Sequence, residues 1–401
     1  MNIQRILSIL LFAASACLCA TARLSVATVT ASPSSGASNV LGSQAWSIWA
    51  GGKGAWIALK PATTVSSLYL TFNDAWGTWS DSIAASTSCK SGSETHPRNY
   101  TILTSANSTD GSDGAWDTAE TITGSLVSAR AHVVPFTGKT WVKLFILGDT
   151  ARLNEIRLYD GNTLGNDSWL FMGNSITAMT FKSYSVDTSF SQQLLALDAN
   201  RDPAFMRGGI SCIKSTDVAA DVSKYLKFGG TAKRWAIELG TNDGWNNGTY
   251  NLPAFKASLQ TIIDSAKAHG ITPMIARVMA TDSSITKWQI NIGYPLTVDS
   301  LAAANNLPAG PDFYAWFKAH PSELNSDGVH PNAVGAASIQ RLWAQAALKV
   351  SPTVGTVQVA QNNLRNRRAS LPGRSVMYFD VAGRLQVDSR SLYQQKTGVQ
   401  K

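Results

Sequence analysis

From Asp167 to about Val350 short, largely apolar runs alternate with helical stretches, and this alternation constrains the fold more than any other feature of the chain. Ser168 to Met172 (SWLFM), Trp235 to Leu239 (WAIEL) and Thr272 to Val278 (TPMIARV) are predicted as buried strands. Between the last two, Pro253 opens a run in which Phe255, Leu259, Ile262, Ile263 and Ala266 recur at helical spacing, and Gly270 stops it. One strand, helix, strand unit with a right-handed crossover follows, and with it an α/β fold whose parallel sheet is flanked by helices.

The rest of the chain reads differently. With 401 residues, 44% of them apolar and 15% charged, it is long enough for more than one core. Residues 1–22 carry Arg5, an apolar run from Ile6 to about Cys19, and small residues at Ala20 and Ala22, the pattern of a cleaved signal peptide. The run is short for a membrane anchor, and no later stretch is apolar enough, so export without a membrane span is expected. Residues 23–163 are rich in Ser, Thr, Gly and Trp, with β-type runs such as TVSSLYLTF, NYTILTS, KTWVKLFILG and NEIRLYDG between turn-formers, which predicts an all-β sandwich. Residues 164–350 are the α/β domain. Residues 351–401 form a basic linker and a segment, SVMYFDVAGRLQV, that reads as strand and turn. From Ser351 onward eight basic residues stand against Asp380 and Asp388, so +6 of the net +8 lies in this tail and describes the tail rather than a substrate.

Cys17 and Cys19 fall in the signal, leaving Cys89 and Cys212. Two readings are open: a bridge between them, or two buried free thiols, which the sequence favours slightly. No Cys/His spacing suits a metal, no glycine loop suits a phosphate, and no basic-aromatic face suits nucleic acid, so neither cofactor, metal nor nucleic-acid partner is expected.

Three short blocks at predicted strand ends or turns carry the chemistry. Gly173-Asn174-Ser175 ends the first strand and enters a helix, where open α/β sheets place their ligands and where backbone N–H groups face an anion. Gly240-Thr241-Asn242-Asp243 follows WAIEL, and its Asn amide can donate to an oxyanion. In Asp327-Gly328-Val329-His330-Pro331 a carboxylate three residues before a histidine can fix the ring tautomer. Each block alone is also an ordinary cap or turn. Their occurrence together, in this order, is what gives them weight.

In these blocks, and in Gly310 to Tyr314 and His320-Pro321, the sequence from Asp167 to Val350 resembles the SGNH, or GDSL-like, hydrolases. The resemblance implies a three-layer, parallel-sheet, flavodoxin-like α/β domain. It places the nucleophile on Ser175, the base on His330 and the acid partner on Asp327. The oxyanion hole would be formed by the Ser175 N–H, the Asn242 amide, and a backbone N–H at Cys212, with Gly209 as the alternative. Two positions depart from the pattern: Cys212 stands where many relatives have Gly, narrowing the space beside the oxyanion, and Asn174 replaces the commoner Asp, a change expected to leave activity intact. TWVKLFILG and NEIRLYDG resemble the last strands of discoidin-like, galactose-binding-like jelly-roll modules, which implies a carbohydrate-binding module with Trp46, Trp49, Trp56, Trp76, Trp79 and Trp116 available to stack on sugars or to fill the core. The tail resembles surface-sorting segments of secreted bacterial enzymes and implies a contact with cell-surface or secretion machinery.

The polar and aromatic segments around Trp245 and Trp288 are taken as substrate contacts and favour a small acyl group on a hydrophilic alcohol. Together with export and the adjoining β module, they lead to a secreted acetylesterase acting on acetylated plant cell-wall polysaccharide such as xylan. The alternatives are a lipolytic or lysophospholipid esterase and a catalytically inactive carbohydrate-binding surface protein.

Overall fold

The computed structural model describes residues 23–42, 46–74, 96–125, 130–148, 150–183, 189–229, 231–244, 251–287, 289–350, 377–379 and 385–387. The expected signal peptide, Cys89, Trp76, Trp79, Trp245 and Trp288 lie outside the described residues, as does most of the tail. The chain divides into two compact units, Met1–Val357 and Gln358–Lys401. Among its described residues the second holds one antiparallel strand pair, Met377–Phe379 with Leu385–Val387.

Ten described strands open the first unit: β1 (Arg23–Leu24), β2 (Val26–Ser32), β3 (Trp49–Gly51), β4 (Trp56–Pro61), β5 (Ser67–Asp74), β6 (Asn99–Ser105), β7 (Asp117–Ile122), β8 (Arg130–Pro135), β9 (Trp141–Gly148) and β10 (Ala151–Asp160). They form two antiparallel sheets, one ordered β2-β4-β9-β6-β7, the other β1-β10-β5-β8 with β3 also paired to β10. The period of two decides what enters the core they share: Ile57 and Leu59 from β4, Val142, Leu144 and Ile146 from β9, Leu68, Leu70 and Phe72 from β5. In β10 the register shifts between Leu153 and Glu155, which moves the inward phase from Ala151 and Leu153 to Ile156 and Leu158. Trp49 belongs to this core and is withdrawn from the sugar-stacking candidates. Trp46 is 58% exposed. Trp56 and Trp116 are half-buried, with the Lys143 ammonium 4.5 and 3.6 Å from their ring centres.

The remaining strands, β11 (Ser168–Gly173), β12 (Ala204–Gly209), β13 (Arg234–Glu238), β14 (Thr272–Arg277) and β15 (Ala309–Asp312), form one parallel sheet ordered β12-β11-β13-β14-β15. Among the described residues eight α-helices accompany them: α1 (Ser175–Ala178), α2 (Phe190–Leu197), α3 (Ser215–Ala220), α4 (Val222–Gly229), α5 (Leu252–Ala268), α6 (Gly293–Asn305), α7 (Phe313–Ala319) and α8 (Ala333–Leu348). β11 explains why its sequence is apolar throughout. Trp169 and Phe171 meet Phe190, Leu194, Phe313 and Trp343 of α2, α7 and α8, whereas Leu170 and Met172 meet residues of α3 to α6 such as Val218, Tyr225, Leu259 and Tyr294. Each fully buried side chain of this size contributes about 1.5–3 kcal/mol of transfer free energy.

The second face of β5 and β10 is covered as well, because Tyr69 and Tyr159, with Ala131 of β8, join the core of the α/β part. A polar network crosses the same boundary. Asn73 Oδ1 accepts the Arg207 N–H of edge strand β12 (3.0 Å), and the Arg207 guanidinium donates to Asn154 Oδ1 and Glu155 Oε2 (2.9 Å each). Arg157 pairs with Glu155 Oε1 at 2.5 Å. Burial works to raise the Glu155 carboxyl, but Arg157 and Arg207 hold it below the usual carboxylate range.

Candidate active site

The turn that carries Ser175 is built by close approach. A Cβ on Gly173 would lie 2.1 Å from Thr177 Oγ1, and one on Gly209 would lie 2.3 Å from the Ala178 nitrogen, so α1 can sit against both strand ends only because both positions are glycine. Asn174 caps α1, its Oδ1 accepting the Ile176 N–H at 2.8 Å, and Ser175 becomes the first helical residue, partly exposed at the carboxyl end of β11.

The histidine arrives from a turn before α8. Asp327 Oδ1 accepts the N–H groups of Val329 and His330 (2.9 Å each), while Oδ2 lies 2.7 Å from His330 Nδ1. Gly328 sits at φ +67°, a left-handed conformation that glycine adopts without strain. The Asn325 N–H donates to the His330 carbonyl (2.7 Å) and closes the turn, and Asn332 caps α8 by accepting the N–H groups of Val334 and Gly335. His330 Nε2 then lies 2.8 Å from Ser175 Oγ. With the Nδ1 proton donated to Asp327, Nε2 presents its lone pair to the serine hydroxyl. Burial works to raise the Asp327 carboxyl, but the two backbone N–H groups and the ring hold it below the ordinary range, so it is ionised at neutral pH.

The two remaining blocks are tied together. Asn242 Nδ2 donates to the Ile213 carbonyl at 2.9 Å, which leaves its second amide hydrogen as the one an oxyanion would take. Asp243 accepts from the Ser215 N–H (3.1 Å) and hydroxyl (2.5 Å), and Tyr294 OH donates to the Asp243 carbonyl at 3.0 Å. Asp243 therefore anchors a loop. Cys212 lies in that loop at φ +60°, a conformation uncommon outside glycine, and is disulfide-bonded. The preference for free thiols is thus overturned for Cys212, whose partner falls outside the described residues. Gly209 is buried in the last position of β12, packed on α1.

Ser175, His330 and Asp327 come together in one hydrogen-bonded line, Asn242 is joined to the Cys212 loop through the Ile213 carbonyl, and Trp245 and Trp288 lie outside the described residues. Sequence reading missed Glu238 and Thr177. Glu238 is buried under the turn that carries Ser175, where burial pushes its carboxyl up to about 8 against hydrogen bonds from Thr177 and Asn174. A carboxylate inside the apolar run WAIEL was the available signal. Among the described residues no group of three or more His, Cys, Asp or Glu side chains is placed to hold a metal ion, and no helix is long and apolar enough to cross a membrane.

No protein-family model matches the chain, and no curated protein sequence matches it. Solved structures similar to it include a lipase/acylhydrolase from Enterococcus faecalis (18% identity, 47% of this chain and 99% of that one, TM-score 0.39). An acetyl xylan esterase variant from Geobacillus stearothermophilus is similar at 17% identity over 49% of this chain and all of its own (TM-score 0.40). The psychrotrophic esterase EstA from Pseudoalteromonas sp. is similar at 14% identity, over 46% of this chain and 97% of its own (TM-score 0.38).

Proposed function

We propose that the chain is a serine ester hydrolase of the SGNH type that removes O-acetyl groups from plant cell-wall polysaccharide. The observation that carries the reading is the hydrogen-bonded line from Ser175 Oγ through His330 to Asp327, closed by residues 155 positions apart in sequence. In this reading Ser175 Oγ attacks the ester carbonyl as His330 Nε2 takes its proton, and Asp327 holds the resulting imidazolium. The tetrahedral oxyanion is received by the N–H groups of Ser175 and Cys212 and the Asn242 amide. His330 returns the proton to the departing sugar hydroxyl. Water, activated by the same nitrogen, then releases acetate from the acetyl-serine.

The acetyl and polysaccharide parts of the proposal are supported by the polar, aromatic segments around Trp245 and Trp288 and by the leader-like start of the sequence. The exposed Trp46 supports sugar binding by residues 23–163. The domain boundaries 23–163 and 164–350, export from the cell and attachment through residues 351–401 belong to the same proposal.

Acetate release from acetylated xylan, measured beside the hydrolysis of an acetyl and a long-chain acyl ester, tests it. Acetate from the wild type with the short ester preferred is expected. Long-chain esters turned over far faster than acetyl would transfer the mechanism to a lipolytic substrate. Retention of a Ser175→Ala variant on insoluble polysaccharide, lowered by Trp46→Ala, tests the binding module.

A further inference from the structure

We propose that Glu238 is a positioning residue for Ser175, its carboxyl group clamping the two residues that straddle the nucleophile. The inference rests on the reading of Ser175 as nucleophile and extends it to a group that does not touch the reacting atoms.

Glu238 is the last residue of β13 and lies directly across the parallel ladder from Gly173. Its Oε1 accepts from Asn174 Nδ2 at 3.2 Å and its Oε2 from Thr177 Oγ1 at 3.0 Å. One buried side chain therefore receives the residue before Ser175 and the residue two beyond it, all within a turn where Asn174, Thr177 and Glu238 are at most 3% exposed.

The clamp acts through the cap. Asn174 has one amide, and holding its Nδ2 on Glu238 directs its Oδ1 to the Ile176 N–H, which starts α1 at Ser175 and aims the Ser175 N–H and hydroxyl into the cleft. Without an acceptor at Glu238, buried donors on both sides of Ser175 lose their partner and the amide loses its reason to keep that orientation. Gly173 fits the same design, because any Cβ there would displace Thr177 from the carboxyl. Burial keeps the group largely protonated at neutral pH, and among the described residues only hydrogen bonds from Thr177 and Asn174 oppose it. The Thr177 hydroxyl can accept as well as donate, so either protonation state fills the clamp.

The test compares Glu238→Met, which keeps the volume and removes both acceptors, with Glu238→Gln, which keeps an acceptor for Asn174 and offers an amide to Thr177. Steady-state kinetics on an acetyl ester are normalised to sites titrated by an organophosphonate, so that misfolded protein does not count. Glu238→Met is expected to lower kcat per titrated site by about 30-fold with KM within about twofold, and Glu238→Gln to recover most of that loss. Thr177→Val, which removes one contact only, is expected to lower kcat about threefold to tenfold and keeps the test open if Glu238→Met does not fold. Wild-type kcat per titrated site in Glu238→Met, or in Thr177→Val should the first not fold, overturns the proposal, as does equal loss in the Met and Gln variants. Ser175→Ala separates the two layers: if it is inactive, those outcomes remove the clamp alone, and if it turns over like the wild type, the nucleophile reading falls first.

Discussion

Asp327→Asn keeps the shape of the histidine turn and reverses one hydrogen bond. Asp327 Oδ1 accepts two backbone N–H groups at 2.9 Å, and the Asn oxygen will keep them, so its amide nitrogen must face His330 Nδ1 where Oδ2 now lies at 2.7 Å. An NH2 group there can only donate. Nδ1 must then accept, and the ring proton moves to Nε2, the atom 2.8 Å from Ser175 Oγ that has to receive the serine proton. Serine hydrolases of other folds lose about 10⁴-fold in turnover when the tautomer is wrong, so turnover is expected to fall by about 10³- to 10⁴-fold, which is about 4–5.5 kcal/mol of transition-state stabilisation. Ser175→Ala or His330→Ala should cost more. Initial rates on an aryl acetate at neutral pH, with circular dichroism showing an intact fold, measure it. The Asp327 carboxyl titrates below the usual carboxylate range, so it should stay ionised and keep its contact with the histidine ring as pH falls through the ordinary aspartate range. Turnover within tenfold of wild type for Asp327→Asn would refute the reasoning.

Asn242→Ala should lower kcat about 100-fold or more with little change in KM, since the lost amide acts on the oxyanion; steady-state kinetics decide it. Cys212→Gly should retain most activity, because glycine adopts φ +60° without the disulfide, whereas Cys212→Val should lose more than Cys212→Gly in both melting temperature and turnover. Arg207→Met leaves Glu155 with one cation in a buried site and should destabilise the first unit by about 3–5 kcal/mol in denaturant unfolding. Because the folded-state pKa of Glu155 is depressed, its contribution to stability is present above the unfolded carboxylate value and disappears as pH falls through the folded one, so acid should narrow the gap between Arg207→Met and the wild type.

The parts of this fold that depend on local periodicity were legible in the sequence. The helical run between Pro253 and Gly270 falls on α5, where Asn251 caps the start, and Asn99 to Ser105 coincides with β6. The blocks around Ser175, Asn242 and His330 stood out because each lies at the end of a strand or in a turn, where residue type is tied to backbone conformation. What depends on contacts across the molecule was not. The register shift in β10, the burial of Trp49 and the docking of Tyr69 and Tyr159 on the α/β core leave no periodic trace. Glu238 was hidden for a related reason: its partners are a strand away, and only its charge in an apolar run marks it. Edge strands β12 and β15 were passed over, since Arg207 and the glycines of AFMRGG and the Gly-Pro of AGPD weaken the strand pattern.

In the proposed mechanism Ser175 is the nucleophile and His330 its base. Treatment with an organophosphonate ester, followed by proteolysis and mass spectrometry, tests it most directly. One adduct per chain on Ser175, loss of esterase activity in proportion to labelling, and almost no labelling of His330→Ala are expected. An adduct on another residue that tracks the loss of activity, or full inhibition with Ser175 unmodified, would contradict it.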